Sequence, residues 1–181
     1  MIYVMLANGF EEIEALSFTD ILRRAGVDVK TVSIYEEKMV IGSHGITVEA
    51  DITIQDADKE SMTAIVLPGG LPGTYNLRDS SAVKNLIEFA SKNNMLMGAI
   101  CAAPYVYDTL GYLNGIKATV NPGFESEMKN AILINERVVV DGNFITSQGP
   151  GTAHEFAAAF IAELKGKEYA DELICEMLYN K

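Results

Sequence analysis

Cysteine is scarce in this chain: Cys101 and Cys175 are the two copies, and no C-x-x-C spacing occurs. That scarcity excludes a disulfide-stapled scaffold and the common thiol-redox and zinc motifs, and makes a reducing cytoplasm the expected compartment. Histidine is as rare, with His44 and His154 alone and nothing like H-E-x-x-H, so no metal site is expected. No apolar run reaches the ~20 residues of a membrane span, so no membrane partner is expected. The opening Met1-Ile2-Tyr3-Val4-Met5-Leu6-Ala7 lacks the basic segment and small-residue cleavage site of a signal peptide and reads as a first strand. Lysine and arginine total 14 against 25 aspartates and glutamates, a net charge of −11. Such a surface repels phosphates over most of its area and argues against nucleic acid as a partner. A Walker loop, a G-x-G-x-x-G fingerprint, internal repeats and linkers are also missing.

What is present reads as one domain over residues 1–181, with an apolar fraction of 49% that is ordinary for a globular chain. Strands are expected at residues 2–6, 27–34, 63–67 and 95–100. Between the first two, Ile13, Leu16, Ile21 and Leu22 give an approximately helical apolar face, with Gly26 just past its end. Residues 39–54 read as a hairpin attached to the main sheet. A helix is expected over about 80–91, capped by Asp79 or Ser80, with Val83, Leu86, Ile87 and Ala90 inward. The run 138–146, with Asp141-Gly142 at its turn, reads as a second hairpin. Helices follow Gly149-Pro150-Gly151-Thr152 and begin again near Glu168. Strands alternating with helices imply an α/β sandwich with a mainly parallel sheet.

The most informative stretch is Met95-Leu96-Met97-Gly98-Ala99-Ile100-Cys101-Ala102-Ala103-Pro104. A buried strand turning sharply into a helix would place Cys101 on a nucleophile elbow at the carboxyl edge of the sheet, where a helix end lowers a thiol pKa. The bland reading, a buried inert cysteine, weighs equally on this segment alone. Pro68-Gly69-Gly70, directly after a strand, lies at the same edge. The Gly69 or Gly70 amide with that of Ala102 would make an oxyanion hole, although glycine pairs also mark plain turns. Glu11 and Glu12, at a helix start, are explained by the helix dipole. Glu14 would have a raised pKa and could shuttle a proton if it turns inward toward Cys101, and spacing leaves that orientation open. Either His44 or His154 could serve as a base without its spacing demanding it. Cys175 is expected to pack as a small hydrophobe.

Four segments occur in order: Ala7-Asn8-Gly9-Phe10-Glu11-Glu12-Ile13-Glu14, Leu67-Pro68-Gly69-Gly70, Ala99-Ile100-Cys101-Ala102-Ala103-Pro104 and Thr146-Ser147-Gln148-Gly149-Pro150-Gly151-Thr152. Together they closely resemble the PfpI/ThiJ superfamily, in the branch of the parkinsonism-associated protein deglycase, over about residues 2–169. The resemblance implies a flavodoxin-like sandwich of the class I glutamine amidotransferase-like type, usually a homodimer. It implies that Cys101 is the reactive, oxidation-prone cysteine and that Glu14 hydrogen-bonds its sulfur. It further implies that Gly69, Gly70 and Ala102 form the anion pocket and that Pro150 lies near the site across the dimer interface. Departures accompany the match. Asn121 stands where many members carry histidine, and asparagine cannot act as a base, so a protease-type triad is disfavoured. His44 and Gln148 stand where that branch often has arginine, which should change how an anion or an oxidised sulfur is held.

The leading function on this reading is a cysteine-dependent enzyme needing no cofactor, acting on reactive dicarbonyls or early glycation adducts, with Cys101 as nucleophile and Glu14 as proton shuttle. A redox sensor or chaperone-like stress protein working through Cys101 sulfinate is the alternative. A thiazole-biosynthesis role or a small-molecule hydrolase ranks lower.

Overall fold

A computed structural model describes residues 1–179. The chain runs β1 (Ile2–Leu6), α1 (Glu12–Arg24), β2 (Val29–Ser33), β3 (Met39–Ile41), β4 (Thr47–Glu49), β5 (Ile52–Thr53), β6 (Ala64–Leu67), α2 (Gly73–Asp79), α3 (Ser81–Lys92), β7 (Leu96–Ile100), α4 (Pro104–Thr109), β8 (Lys117–Ala118), β9 (Ile132–Leu133), β10 (Val138–Asp141), β11 (Phe144–Ser147), α5 (Ala153–Lys165) and α6 (Lys167–Glu176). Seven strands form the central sheet in the order β10-β11-β7-β6-β1-β2-β5. Every pairing in it is parallel except β10 with β11.

Strand periodicity splits the core into two layers. In β1, Ile2, Val4 and Leu6 join α1 and α5 through Phe18, Phe156 and Phe160. Tyr3 and Met5 join α2, α3 and α4 on the other face, with Leu77, Val83, Ile87 and Tyr107. Successive side chains of a strand point to opposite faces, so a strand buried on both sides is apolar throughout. The result is a three-layer α/β/α sandwich of the flavodoxin-like kind. Among the described residues, no helix is long and apolar enough to cross a membrane.

Three local expectations need correction. Ile13 and Leu16 do not face the core: they are 52% and 37% exposed, and α1 packs through Ala15, Phe18, Ile21 and Leu22. The buried residues of α1 include Glu12 and Glu14, so an inward face drawn from the apolar residues alone is turned away from the true one. Residues 39–54 are not one hairpin on the main sheet. Strands β3 and β4 pair only with each other, and β5 alone joins the sheet, beside β2. Helix α2 was not anticipated, because its Pro72-Gly73 start reads as loop.

Helix α4 carries a device that fixes the segment returning over the sheet edge. Asp108, 1% exposed, accepts hydrogen bonds from the backbone N–H groups of Lys129 at 2.7 Å, Asn130 at 3.0 Å and Ala131 at 2.8 Å. Removing a buried charged acceptor strands its donors. Asp108→Ala should therefore lower unfolding stability by roughly 2–4 kcal/mol, read as a lower urea midpoint. A loss within a few tenths would show that the staple is dispensable.

Candidate active site

At the carboxyl edge of β7 the chain turns at Cys101 with φ of +63°, a left-handed conformation that costs a non-glycine residue on the order of 1–3 kcal/mol. Neighbouring segments hold it there. The Cys101 N–H donates to the Ser147 carbonyl at the end of β11 (2.9 Å), and its carbonyl accepts from the Asn121 N–H (2.9 Å). The partly buried side chain meets the N–H groups of Ala102 and Gly70.

Two glycines make room for this turn. A Cβ at Gly69 would lie 2.6 Å from the Cys101 Cβ and 2.8 Å from Glu14 Oε2. At Gly70, where φ is +87°, a Cβ would meet the Gly9 carbonyl oxygen and the Glu11 nitrogen at 2.5 Å. No larger residue fits either position without moving backbone. The Gly69 N–H is engaged by Glu14 Oε2 at 2.8 Å, which leaves Gly70 and Ala102 as the donor pair at the sulfur.

Glu14 turns inward. It sits in the first turn of α1, where Glu11 caps the helix by accepting from the Glu14 N–H at 2.8 Å, and it is 1% exposed. Its Oε1 is buried and accepts no hydrogen bond of ordinary geometry. The Cys101 thiol is the side chain that interacts with this carboxyl. Burial, aided by the Glu11 charge, pushes Glu14 up to about 8 against the pull of the Gly69 N–H and the thiol. Burial and the Glu14 carboxyl push the Cys101 thiol up to about 12, against the opposing N–H groups of Ala102 and Gly70. The expected lowering of the thiol by a helix end therefore does not prevail. Helix α4 is one short segment, Pro104–Thr109, and burial beside a carboxyl outweighs its end. The thiol and the carboxyl retain their protons together at neutral pH.

His44 is held by Glu12. Its Nδ1 pairs with Glu12 Oε2 at 2.8 Å, which also accepts from the Ser43 hydroxyl, while Glu12 Oε1 accepts from the His44 N–H at 2.8 Å. Burial opposes ionisation of Glu12, yet the bonds from His44 and Ser43 hold it down at about 2. The Glu12 bond in turn raises the exposed His44. Glu12 is thus more than a dipole partner: it ties the β3–β4 turn to α1, a role with no signal in the sequence. Ligand atoms of Glu11, Glu12 and His44 lie within 4.8 Å of one another, and these groups are engaged in the cap and the turn.

Asn121 reaches the site through its backbone, and its Nδ2 donates to the Gln148 carbonyl at 3.0 Å. Pro150 opens the short helical turn Pro150–Thr152 two residues beyond Gln148. His154 stacks on Tyr179 with ring centroids 3.9 Å apart, and burial lowers its pKa. Cys175 is exposed on α6, contrary to the expected packing, because the inward positions there are Ala170 and Ile174. Cys175→Ser should change stability by no more than about 0.5 kcal/mol and leave turnover unchanged. Loss of activity equal to that of a Cys101 variant would reassign the reactive thiol.

A family model described as the DJ-1/PfpI family matches residues 1–163. Protein DJ-1 homolog B of Arabidopsis thaliana is 39% identical over 168 residues, covering 92% of this chain and 38% of that protein. The chain spans less than half the length of the two Arabidopsis DJ-1 homologs it matches. Protein dj-1beta of Drosophila melanogaster is 37% identical over 181 residues, 98% of this chain and 97% of that one. The solved structure of oxidized Toxoplasma gondii DJ-1 superposes with a TM-score of 0.95 at 37% identity, covering 99% and 98% of the two chains. A protein of Pyrococcus abyssi named a deglycase is 29% identical over 170 residues, 91% of this chain and 99% of its own.

Proposed function

This chain belongs to the DJ-1/PfpI family, and we propose that it is a cysteine-dependent enzyme acting, without a cofactor, on reactive dicarbonyls or early glycation adducts. The observation that carries this reading is the buried Glu14 carboxyl, held by the Gly69 N–H and interacting with the Cys101 thiol. The relative named a deglycase supports the same class of substrate.

With methylglyoxal, the chemistry balances as follows. Glu14, as carboxylate, takes the thiol proton while sulfur bonds to the aldehyde carbon. The carbonyl electron pair moves onto oxygen, facing the Gly70 and Ala102 N–H groups. That oxygen takes the proton back from Glu14, giving a hemithioacetal. Glu14 then moves the hydrogen of that carbon to the ketone oxygen, which gives an enediol, and moves the first hydroxyl's proton to the former ketone carbon, which leaves a lactoyl thioester. Water cleaves the C–S bond, releasing lactate and restoring the thiol. The sum is methylglyoxal plus water, with no external oxidant or reductant. Asn121, a carboxamide, offers no base, so Glu14 carries every proton transfer. Formation of lactate by the wild type and not by Cys101→Ser tests the reading.

The same pocket favours a second reading. A neutral Glu14 carboxyl and two N–H groups around one sulfur are also what a sulfinate would need, so oxidation of Cys101 could itself be the output. Peroxide titration followed by intact mass separates the two: two oxygens gained at one site, with no dicarbonyl turnover, supports the sensor. We further propose that the protein works in the cytoplasm as a homodimer. Ile13 on α1 and Met39 and Ile41 on β3, each more than half exposed, lie on elements that Glu12 ties together, and an apolar face of that kind calls for a partner. Light scattering on the eluted protein reads the mass.

A further inference from the structure

The central sheet ends differently on its two sides. Strand β5 closes one edge with the pair Ile52 and Thr53, too short a stretch to template another strand. Strand β10 closes the other edge with Val138-Val139-Val140-Asp141 and pairs with β11 alone. A run of β-branched valines favours an extended chain, and none of the usual guards of an open edge, lysine, proline or a bulge, interrupts it.

The register shows which atoms this edge leaves open. Asp141 stands opposite Phe144 across the Gly142-Asn143 turn, Val139 stands opposite Thr146, and the Gln148 N–H donates to the Arg137 carbonyl. Antiparallel residues exchange their hydrogen bonds at every second pair, so Arg137, Val139 and Asp141 bond toward β11. Val138 and Val140 turn their N–H and carbonyl groups outward, where no backbone partner meets them among the described residues.

A groove of about 320 Å³ lies beside that edge. Val138 packs on the α5 layer, and Val140, on the same face of the strand and 46% exposed, forms one wall. Ala158, Ala159 and Ala162 of α5 and Ala170 of α6 form the floor, and side chains this small let another chain come close. The rim is acidic. Arg137 takes Glu155 at 2.8 Å and Lys167 takes Asp171 at 2.5 Å, while the exposed Glu163 has no ion-pair partner among the described residues. A second copy brings a net charge of −11 and the same acids, so the field repels it and attracts a basic segment.

We infer that β10 is a docking edge for an extended basic segment of a partner protein, which adds to the central sheet as a further antiparallel strand. Main-chain hydrogen bonds to Val138 and Val140 supply the attachment, and the groove reads the side chains. Residues directly opposite one another share a face. The partner residues that bond to Val138 and Val140 therefore also direct their side chains into the groove, an apolar one over the alanines and a basic one at Glu163.

The probe is an acetylated, amidated peptide, Lys-Thr-Val-Thr-Lys, titrated into the full chain and followed by amide NMR. Shifts are expected at Val138, Val140, Ala159 and Ala162. N-methylation of the valine and lysine nitrogens, which face β10, should weaken binding about 10-fold or more. N-methylation of the threonines, whose nitrogens point away, should change it by less than about 2-fold. Glu163→Lys should weaken binding about 5-fold, and a peptide with glutamate in place of lysine should bind that variant better than it binds the wild type. Equal binding of the two methylated peptides, shifts elsewhere, or no shifts overturn the assignment. So does a mass by light scattering that halves in Val140→Lys, because the edge is then covered by a second copy.

Discussion

Cys101→Ser is expected to abolish lactate formation from methylglyoxal, by roughly 10³-fold or more. Serine keeps the size and the backbone demands of the elbow, so the φ of +63° and the bonds to Ser147 and Asn121 are retained. What is lost is the nucleophile. An alcohol in this setting stays protonated far above the range of a thiol, and Glu14, pushed up to about 8, is too weak a base to activate it. The measurement is D- and L-resolved lactate in metal-free buffer without glutathione, with far-UV circular dichroism confirming the variant's fold. Turnover that depends on Cys101 establishes the enzyme and makes the lactate enantiomer a report on which face Glu14 protonates. No turnover above the variant shifts the assignment to Cys101 oxidation.

Glu14→Gln carries the second large effect, a loss of about 10²–10⁴-fold in turnover. Glutamine keeps the carbonyl acceptor for the Gly69 N–H but cannot move a proton. Because Glu14 is held at about 8 from an ordinary 4.5, the carboxylate that takes the thiol proton is a minor form at neutral pH. Wild-type kcat/KM should therefore rise with pH up to about 8 and then level off, and a flat profile between about pH 6 and 9 removes Glu14 as the base.

The same shift fixes the sign of a stability effect. Between 4.5 and 8 the folded protein holds a proton on Glu14 that the unfolded chain has released, so raising the pH through this window favours unfolding. The full span corresponds to a loss on the order of 5 kcal/mol. Glu14→Gln removes that component, and its stability relative to wild type should be higher at about pH 9 than at about pH 5. Parallel urea-midpoint profiles for the two proteins would mean that Glu14 does not titrate in this window.

Much of the architecture is legible in the chain. Strands buried on both faces are short unbroken apolar runs, so β1, β6 and β7 stand out, and the Asp141-Gly142 turn announces β10 and β11. The elbow is legible for a related reason: small residues on both sides of Cys101 permit a turn that bulky ones would block. Pro68-Gly69-Gly70 carries the same signal, since its glycines are where side chains would collide with Cys101 and the Gly9–Glu11 backbone.

The remainder depends on contacts between distant segments. Nothing local tells that Glu14 is the inward glutamate and Ile13 the outward isoleucine, because the helix orients as a whole to bury Phe18, Ile21 and Leu22. Nor could the neighbourhood of Cys101 reveal the rise in its thiol pKa, which comes from burial and from a carboxyl 87 positions earlier in the chain. Glu12 on the β3–β4 turn and Asp108 on the 129–131 backbone are satisfied across similar gaps. The sequence by itself determined most strands of the central sheet, the elbow at Cys101 and the glycines that make room for it, all consequences of backbone sterics and strand periodicity. The tertiary structure decided how tightly the thiol and the carboxyl each hold their proton and, apart from the family resemblance, which carboxyl meets the thiol, because burial and electrostatic coupling depend on distance in space and not along the chain.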